Sequence, residues 1–293
     1  MESRFPHKVL PYLLLAPSVI VVFIFLIYPS FQSLYLSFFR MAPFGNRRIY
    51  VQFDNFIKLF SSAAYLHSLW ITFLFTLALV VVGLVVSLGL AVTANQKIRG
   101  IGVYRIALIW PYALSPAVAG TIWALVFDPA TGVLSYFFSS LFGYTPDWRT
   151  NGTLALVVVT GAATWKMLGY NIIFFLAGLQ IIPEELLEAA QIDGAGAWQR
   201  FWKITLPLLS PTTFFLLIMN VLYGFFEVFG LIDVMTSGGP GRATEVLVYK
   251  LYYDGFASLR TGYASAQSIV LFVVVAILTL AQFRFARRWV FYQ

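Results

Sequence analysis

Few charged side chains in this sequence could do chemistry, and those few lie within or between long apolar runs. Lys166 and Glu227 each interrupt a long apolar run, and the acidic stretch 184–188 lies between those two runs. A charged side chain that faces lipid at mid-helix costs at least about 2.5–3.5 kcal/mol, so both residues are predicted to face the interior or water. The pattern indicates a polar route through a membrane with an acidic, water-exposed helix beside it.

Other chemistries are excluded by residue type. The chain has no cysteine and two histidines, His7 and His67, which are too few and too far apart in sequence to suggest a metal site. No lysine follows a glycine as in the phosphate loop, so the chain is predicted not to bind ATP itself. No Ser-His-Asp set with a histidine deep in the membrane is available. The chain is therefore predicted not to be an enzyme and to need no cofactor of its own.

Composition places most of the chain in lipid. Of its 293 residues, 60% are hydrophobic and 11% are charged, whereas about a quarter of the residues of a soluble domain are charged. The net charge of +7 is scattered in short segments between apolar runs. That scatter favours retention of positive charge on the cytoplasmic side of a membrane over binding of nucleic acid.

Apolar runs of about 20 residues or more predict an all-α protein with six transmembrane helices. The first is expected to start at Val9 and to end near Tyr28 because of Pro29. A cleaved signal peptide is the alternative, but its apolar core should be only about 7–15 residues long. The other five spans are predicted at 66–93, 106–127, 153–179, 208–232 and 263–283. Residues 1–65 are predicted to form an N-terminal part, and 66–286 the core.

The segments between the spans predict the orientation. Short basic segments fall on the side of the two termini, which should be cytoplasmic; they are 1–8, 97–105, 200–203 and 284–288. The outer loops are predicted at 40–65, 128–151 and 233–260, the last with a turn at 236–241. One observation opposes this orientation, because the first outer loop carries four basic residues: Arg40, Arg47, Arg48 and Lys58.

The stretch 183–194 has the signals of a short helix. Pro183 suits a first helical position, and Glu184 and Glu185 then lie in the first turn, where the helix dipole favours anions. Gly194 supplies the expected stop. At helical spacing, Leu186, Leu187 and Ala190 are expected on one stripe, opposite Glu184, Glu185 and Glu188. In a second short helix, 198–206, the residues expected at the interface are Trp198, Phe201 and Trp202, and those expected to reach water are Arg200 and Lys203. An ordinary interfacial helix-turn-helix and a docking helix fit these residues equally well.

The sequence of this stretch resembles the motif of a known family. Glu188-Ala189-Ala190, three residues, Gly194, nine residues and Ile204-Thr205-Leu206-Pro207 resemble the EAA motif of permease subunits of binding-protein-dependent ABC importers. The resemblance implies the type I permease fold, with the helix docked on a cytoplasmic ATPase subunit that hydrolyses the ATP. It assigns the coupling role to these residues: Glu188, Ala189, Ala190, Asp193 and Gly194. The implied partners are a homologous second permease, two ATPase subunits and an external solute-binding protein, at the inner membrane of a prokaryote.

Further motifs narrow the resemblance. Those that resemble the carbohydrate branch of these permeases are Asp54-Asn55-Phe56, Ala177-Gly178-Leu179-Gln180, 236–240 and 262–266. Those that resemble the A-type permeases of glycerol-3-phosphate importers are Pro43-Phe44-Gly45, 109–113, Tyr170-Asn171, 192–196 and Tyr292-Gln293. The implied cargo is sn-glycerol-3-phosphate or a related glycerophosphodiester. The same machinery carrying a sugar or oligosaccharide is the alternative.

A substrate pathway is predicted along the two spans that flank the acidic stretch. The candidate residues are Lys166, Tyr170, Asn220, Tyr223, Gly224 and Glu227, several of which match sugar-contacting positions of the similar maltose-importer permease. For Lys166, the alternative to a pathway role is snorkelling towards the membrane interface or pairing with a carbonyl at a helix break. For Glu227, the alternative is an inter-subunit salt bridge or a gate contact. Two further classes remain on the residues alone: an ion-coupled secondary transporter, which would favour paired intramembrane acids and two repeat halves, and a membrane-embedded assembly subunit.

Overall fold

A computed structural model describes residues 9–41, 47–96 and 99–289, with side chains up to 286. The motifs at 43–45 and 292–293 and the basic segment 1–8 lie outside the described residues. The two strands are β1 (Phe39–Met41) and β2 (Arg48–Tyr50). The first helices are α1 (Leu10–Leu36), α2 (Asp54–Ser61), α3 (Ala63–Ala94), α4 (Ile101–Ile109), α5 (Pro116–Val126), α6 (Val133–Phe142) and α7 (Gly152–Ile181). The remaining helices are α8 (Glu184–Ile192), α9 (Ala197–Leu208), α10 (Ser210–Glu227), α11 (Phe229–Met235), α12 (Leu247–Tyr252) and α13 (Thr261–Trp289).

Four of these helices are long and apolar enough to cross a membrane, namely α1, α3, α7 and α13. The pairs α4 with α5 and α9 with α10 pass the same test but are bent, by 106° and 64°. If each bent pair is one span, the described residues hold six spans, as predicted. The helices α3 and α7 confirm the predicted spans 66–93 and 153–179 within a few residues.

The expectation that Pro29 ends the first span is wrong. The helix α1 continues to Leu36 because a π-helical turn, Phe23–Ile27, ends two residues before the proline. Tyr28 N–H donates to the carbonyl of Phe23, five residues back. Proline normally breaks a helix by clashing with the carbonyl four residues before it, and the wider turn gives that ring room.

The described residues divide into two compact units. One runs to Ala63 and includes Leu251–Phe272; the other comprises Ala64–Lys250 and the chain from Val273 onward. The predicted division between residues 65 and 66 differs from these two units, because it assigns 251–272 to the core. The predicted division stays a prediction.

In the first unit, the segment predicted as an outer loop at 40–65 is folded over its described residues, 40–41 and 47–63. The strands β1 and β2 form an antiparallel hairpin, and the buried Asn55 side chain donates to the carbonyls of Ser37 at 2.7 Å and Phe39 at 3.0 Å. The Lys58 ammonium and then the Arg40 guanidinium, both hydrogen-bonded to Asp54, hold the pKa of that carboxyl below its usual range. Local hydrogen bonds therefore order a stretch that its polarity alone marks as a loop.

In the second unit, α7 lies at the centre of the core. Small residues on this helix are fully buried and let neighbouring helices approach closely; they include Ala155, Ala162 and Ala163. Larger buried side chains of the same helix, Ile172 and Phe175, pack in a second apolar cluster nearer its C-terminal end. The helix thus contributes to both apolar clusters of the unit.

The predicted third span is not one straight helix. Its two halves, α4 and α5, meet at a 3₁₀ turn, Trp110–Ala113, and Ser115 Oγ caps α5 by accepting from Val118 N–H at 3.3 Å. The two prolines, Pro111 and Pro116, each occupy a first-turn position, where a missing N–H costs nothing. The bend between α9 and α10 lies between Pro207 and Pro211, two residues of the type that breaks helices.

The segment predicted as an outer loop at 233–260 also contains buried structure. Glu245 accepts a hydrogen bond from Ser68 Oγ at 2.8 Å and lies 3.6 Å from Lys250 Nζ, with all three side chains buried. Leu247 N–H donates to Thr72 Oγ1 at 2.8 Å. These contacts tie the segment to α3, so the loop interpretation is wrong for α12. The predicted outer loop at 128–151 likewise contains a helix, α6.

We expect Gly169→Ala to destabilise the second unit by about 1–3 kcal/mol, the usual cost of overpacking. A Cβ there would lie 2.5 Å from the Ile109 carbonyl oxygen and 3.0 Å from Tyr112 Cβ, so backbone must move. The matched control is Gly161→Ala in the same helix, where a Cβ meets nothing within 4 Å. Tryptophan-monitored unfolding in detergent measures both variants. Equal stabilities for the two would contradict the close packing at Gly169.

Candidate functional site

The helix α8 stands out from the core and presents its acids to the surroundings. Glu184, Glu185 and Glu188 are all exposed, as expected. Pro183 is the residue before the helix and not its first member, a shift of one position from the prediction. Ala189, like Glu188, is exposed, so this part of the motif is open to a partner.

The turn after α8 has a defined geometry. Ala195 N–H donates to the Ala190 carbonyl at 2.8 Å, and Gly194 N–H donates to the Gln191 carbonyl at 3.1 Å. Gly194 has φ +83°, which completes a Schellman motif, and this left-handed conformation suits glycine. A Cβ at Gly194 would meet no described atom within 4 Å, and both Asp193 and Gly194 are exposed. The predicted end of the helix at Gly194 is confirmed, and the left-handed backbone conformation explains why a glycine stands there.

The inward face of α8 is narrower than expected. Leu187 and Ala190 are half-buried, and Leu187 packs against the apolar cluster that includes Leu179 and Ile182. Leu186 is 45% exposed, so its predicted place on the buried stripe is wrong. Leu187 and Ala190 lie three residues apart on the line of contact, whereas Leu186 is turned about 100° from Leu187 around the helix.

Arg200 is half-buried and, besides reaching water as predicted, it contacts α8. Its Nη1 donates to Gln191 Oε1 at 2.9 Å and lies 3.4 Å from the Leu187 carbonyl. The arginine thus contacts a carbonyl in the middle of α8 and a side chain of its last turn. Arg200 therefore joins α9 to the end of α8, while Lys203 is exposed as predicted.

Apolar side chains around α8 are unusually open. Ile181, Ile192 and Trp198 are 76%, 86% and 73% exposed. We call this surface, with the exposed Glu188 and Asp193, the coupling face. Contiguous exposed apolar side chains rimmed by charge mark interaction surfaces. Exposed apolar side chains beside exposed acids are what a docking role requires, and that role stays a prediction.

The intramembrane lysine is enclosed by aromatic rings. Lys166 of α7 is 6% exposed, and its Nζ lies 5.2 Å from the ring centroid of Tyr112 and 5.6 Å from that of Tyr223. Both distances are within the range of cation–π attraction, which strengthens when water is excluded. Burial on the interior of the unit agrees with the expectation that this charge avoids lipid.

Two further predicted residues lie near this lysine. Tyr170 is half-buried, and its ring centroid lies 5.1 Å from that of Tyr112. Glu227 is exposed, and its carboxylate is within electrostatic reach of Lys166, Tyr170 and Tyr223. The structure thus brings together four of the six predicted pathway residues.

The other two pathway candidates are packed between helices. Asn220 is fully buried and makes a reciprocal amide pair with Asn171, at 2.7 and 3.2 Å, beside Gly83. At Gly224, a Cβ would lie 2.6 Å from Thr76 Oγ1, so this glycine permits close approach of α10 to α3. Their pathway role stays a prediction, and the contacts seen here are structural.

Sequence reasoning did not single out Tyr112, Asn171 or the Glu245–Lys250 pair as site or core residues. For Tyr112 a signal exists, because Pro111 and Pro116 flank a non-helical turn that can point a side chain inward. The Glu245–Lys250 pair depends on Ser68, 177 residues from Glu245, and no local pattern predicts such a contact.

The chain is similar to known transport proteins over nearly its whole length. The profile of the family described as "Binding-protein-dependent transport system inner membrane component" matches residues 8–290. The sn-glycerol-3-phosphate transport system permease protein UgpA of Rhizobium meliloti (strain 1021) is 48% identical over 288 residues, 98% of each chain. The protein of the same name from Brucella abortus biovar 1 (strain 9-941) is 46% identical over 291 residues, 99% of each chain.

The fold is similar to that of solved structures. A chain of a bacterial ABC transporter involved in the import of the acidic polysaccharide alginate superposes with a TM-score of 0.84, covering 95% of both chains at 24% identity. A second structure of an alginate transporter, in complex with a periplasmic protein bound to an alginate pentasaccharide, gives the same TM-score. At this identity the likeness concerns the fold alone.

We expect single substitutions Asn171→Leu and Asn220→Leu to cost about 1–3 kcal/mol each, since each leaves a buried amide without its partner. The double variant should cost less than the sum, because no unpaired partner remains. Unfolding of the four proteins in detergent gives the double-mutant cycle. Additive losses would show that the amide pair does not hold these helices together.

Proposed function

The chain belongs to the family of binding-protein-dependent transport system inner membrane components, and we propose that it is the permease subunit of an ABC importer for sn-glycerol-3-phosphate or a related glycerophosphodiester. The choice of substrate rests on the 43–48% identity, over nearly the full length, to permeases named for sn-glycerol-3-phosphate transport. The proposed mechanism rests on the coupling face, because α8 lies between α7 and α10 in the chain.

The position of α8 in the chain explains how force would reach the pathway. Only Ile182 and Pro183 separate α8 from α7, and α9 leads from it to α10. A cytoplasmic ATPase subunit that grips the coupling face and moves when it closes on ATP would displace the ends of both helices. Arg200 links α8 to α9, so the two short helices would move together. The chain itself would supply no ATP site and no cofactor.

The remaining partners follow from this arrangement. One permease chain forms one wall of a pathway, so a homologous second permease would supply the other, and two ATPase subunits would dock on the two coupling faces. A solute-binding protein on the outer side would deliver the cargo. The basic segments at 97–105 and 200–203 put α8 and both termini on the cytoplasmic side by the positive-inside rule.

The Lys166 cluster suits a phosphate-bearing cargo. A buried ammonium that is held by ring faces leaves its donors available to a phosphate oxygen. Exposed Glu227 would lie at the rim of the same path, where it could bind the hydroxyl groups of a glycerol moiety. A sugar or oligosaccharide cargo is the second candidate, favoured by Tyr112, Tyr170 and Tyr223, since aromatic rings offer flat apolar faces.

We expect Glu188→Ala to reduce ATP-driven uptake at least about tenfold, the effect of losing roughly 1.4 kcal/mol of coupling. The matched control is Glu185→Ala, an exposed acid of the same helix outside the EAA motif. Uptake and ATP hydrolysis are measured in proteoliposomes with the complete importer. Uptake that is equal in the two variants would contradict a specific coupling role for Glu188.

We expect Lys166→Met to lower uptake of labelled sn-glycerol-3-phosphate much more than Lys166→Arg does, because the arginine keeps a cation for the phosphate. Hydrolysis stimulated by the loaded binding protein serves as a check that the complex assembles. A methionine variant that transports like the unaltered protein would exclude Lys166 from cargo binding, whereas loss in both variants would indicate a purely structural lysine.

A further inference from the structure

We propose that the first unit contains an anion-binding cavity that takes a glycerol phosphate group, either of the free cargo or of a phospholipid head. The cavity has a volume of about 550 Å³, and its polar lining includes Arg40, Lys58, Arg260 and Tyr263. Pockets for small ligands are typically about 300–1,000 Å³, so a glycerol phosphate fits with room for water. The preference for a glycerol phosphate over another phosphate ester rests on the proposed function.

The charge around this cavity is positive even after its carboxylates are counted. Arg40 and Lys58 share the single carboxylate of Asp54, at 2.6 and 2.7 Å. Asp254 is buried and accepts a hydrogen bond from Gln267 Nε2 at 2.6 Å. Even if the nearby Asp254 is counted in full, the three cations of the lining outnumber these two carboxylates by one.

The donors can reach a ligand because they stay partly in solvent. The side chains of Arg40 and Lys58 are both 53% exposed. Arg260 is exposed too, with its guanidinium 5.7 Å from the ring centroid of Tyr263, a contact that orients its planar donors. Arginine forks match phosphate oxygens bidentately, and of the two arginines Arg40 is already hydrogen-bonded to Asp54, which makes Arg260 the stronger phosphate donor.

The backbone around the cavity is specially shaped. Leu259, which lines it, has φ +56°, a conformation that is uncommon for a residue other than glycine. Arg260 N–H donates to the Asp254 carbonyl at 2.9 Å and fixes the chain just before α13 begins. Gly262 packs directly on the Phe39 carbonyl, which only a residue without a side chain allows. Strained backbone of this kind is often retained at ligand sites.

This cavity also explains the observation that opposed the predicted orientation. Two of the four basic residues of the 40–65 segment, Arg40 and Lys58, line it, although the positive-inside rule would keep cations off the outer side. Arg48 belongs to the same segment and is exposed, but it does not line the cavity. It therefore provides a matched control.

The test uses the full chain in nanodiscs of phosphatidylcholine, with labelled glycerol 3-phosphate as one probe and added phosphatidylglycerol, followed by native mass spectrometry, as the other. We expect Lys58→Gln with Arg260→Gln to weaken binding at least about tenfold, as loss of charge-assisted hydrogen bonds does. Arg48→Gln should bind as the unaltered chain does. Binding of the soluble probe identifies the free cargo, and binding of the lipid alone identifies a head group.

A misfolded variant can lose affinity but is not expected to gain it, so a variant that binds more tightly is also tested. Asp54→Asn should tighten binding several-fold, because it frees Arg40 and Lys58 for the ligand, and raised salt should weaken binding in every protein. The inference is overturned if neither probe binds, if the double variant equals Arg48→Gln, or if Asp54→Asn binds more weakly. Uptake by the complete importer is measured separately. An importer that carries a sugar would refute the proposed function and leave this binding result intact.

Discussion

The amide pair between Asn171 and Asn220 is the interaction on which the geometry of the second unit depends. Both side chains are fully buried, and each donates to the oxygen of the other. Inside a membrane no water replaces a lost partner, so an amide pair of this kind resists separation of the two helices more than apolar contact does. Gly83 of α3 lies beside the same pair, where a Cβ would be in ordinary van der Waals contact with both amides. The three helices α3, α7 and α10 are thereby held at one level.

On the proposed function, this constraint matters for the transmission of movement from α8, because α8 lies between α7 and α10 in the chain. A movement imposed on α8 can be absorbed by hinging at Ile182–Pro183 or passed to the helices that flank it. The amide pair opposes sliding of α7 against α10, and Arg200 opposes separation of α8 from α9. The two together favour motion of this group of helices as a body. Lys166 and Tyr223, which lie on those helices, would then move with it.

How much of this follows from sequence depends on the range of the interactions involved. Apolar run length predicts α3 and α7, and local cap chemistry predicts the end of α8 at Gly194, since both act over a few residues. The burial of α12 and the passage of α1 through Pro29 were predicted wrongly, and the contact of Arg200 with Gln191 was not predicted. The burial of α12 depends on partners that sequence proximity does not reveal, such as Thr72, 175 residues from Leu247. In the site, Lys166 is conspicuous as a charge in an apolar run, whereas Tyr112 becomes a neighbour only through the bend between α4 and α5.

The two cationic sites illustrate how burial sets the strength of an anion contact. Lys166 is enclosed by aromatic rings, so its field is little screened and a phosphate there would be held strongly. Arg40, Lys58 and Arg260 are open to solvent and partly neutralised by Asp54, so a phosphate would exchange among them easily. A transporter has to release its cargo as well as attract it. On the proposed function, an exposed, partly compensated cluster suits capture, and the enclosed lysine, with Glu227 in electrostatic reach to compete for it, suits discrimination during passage.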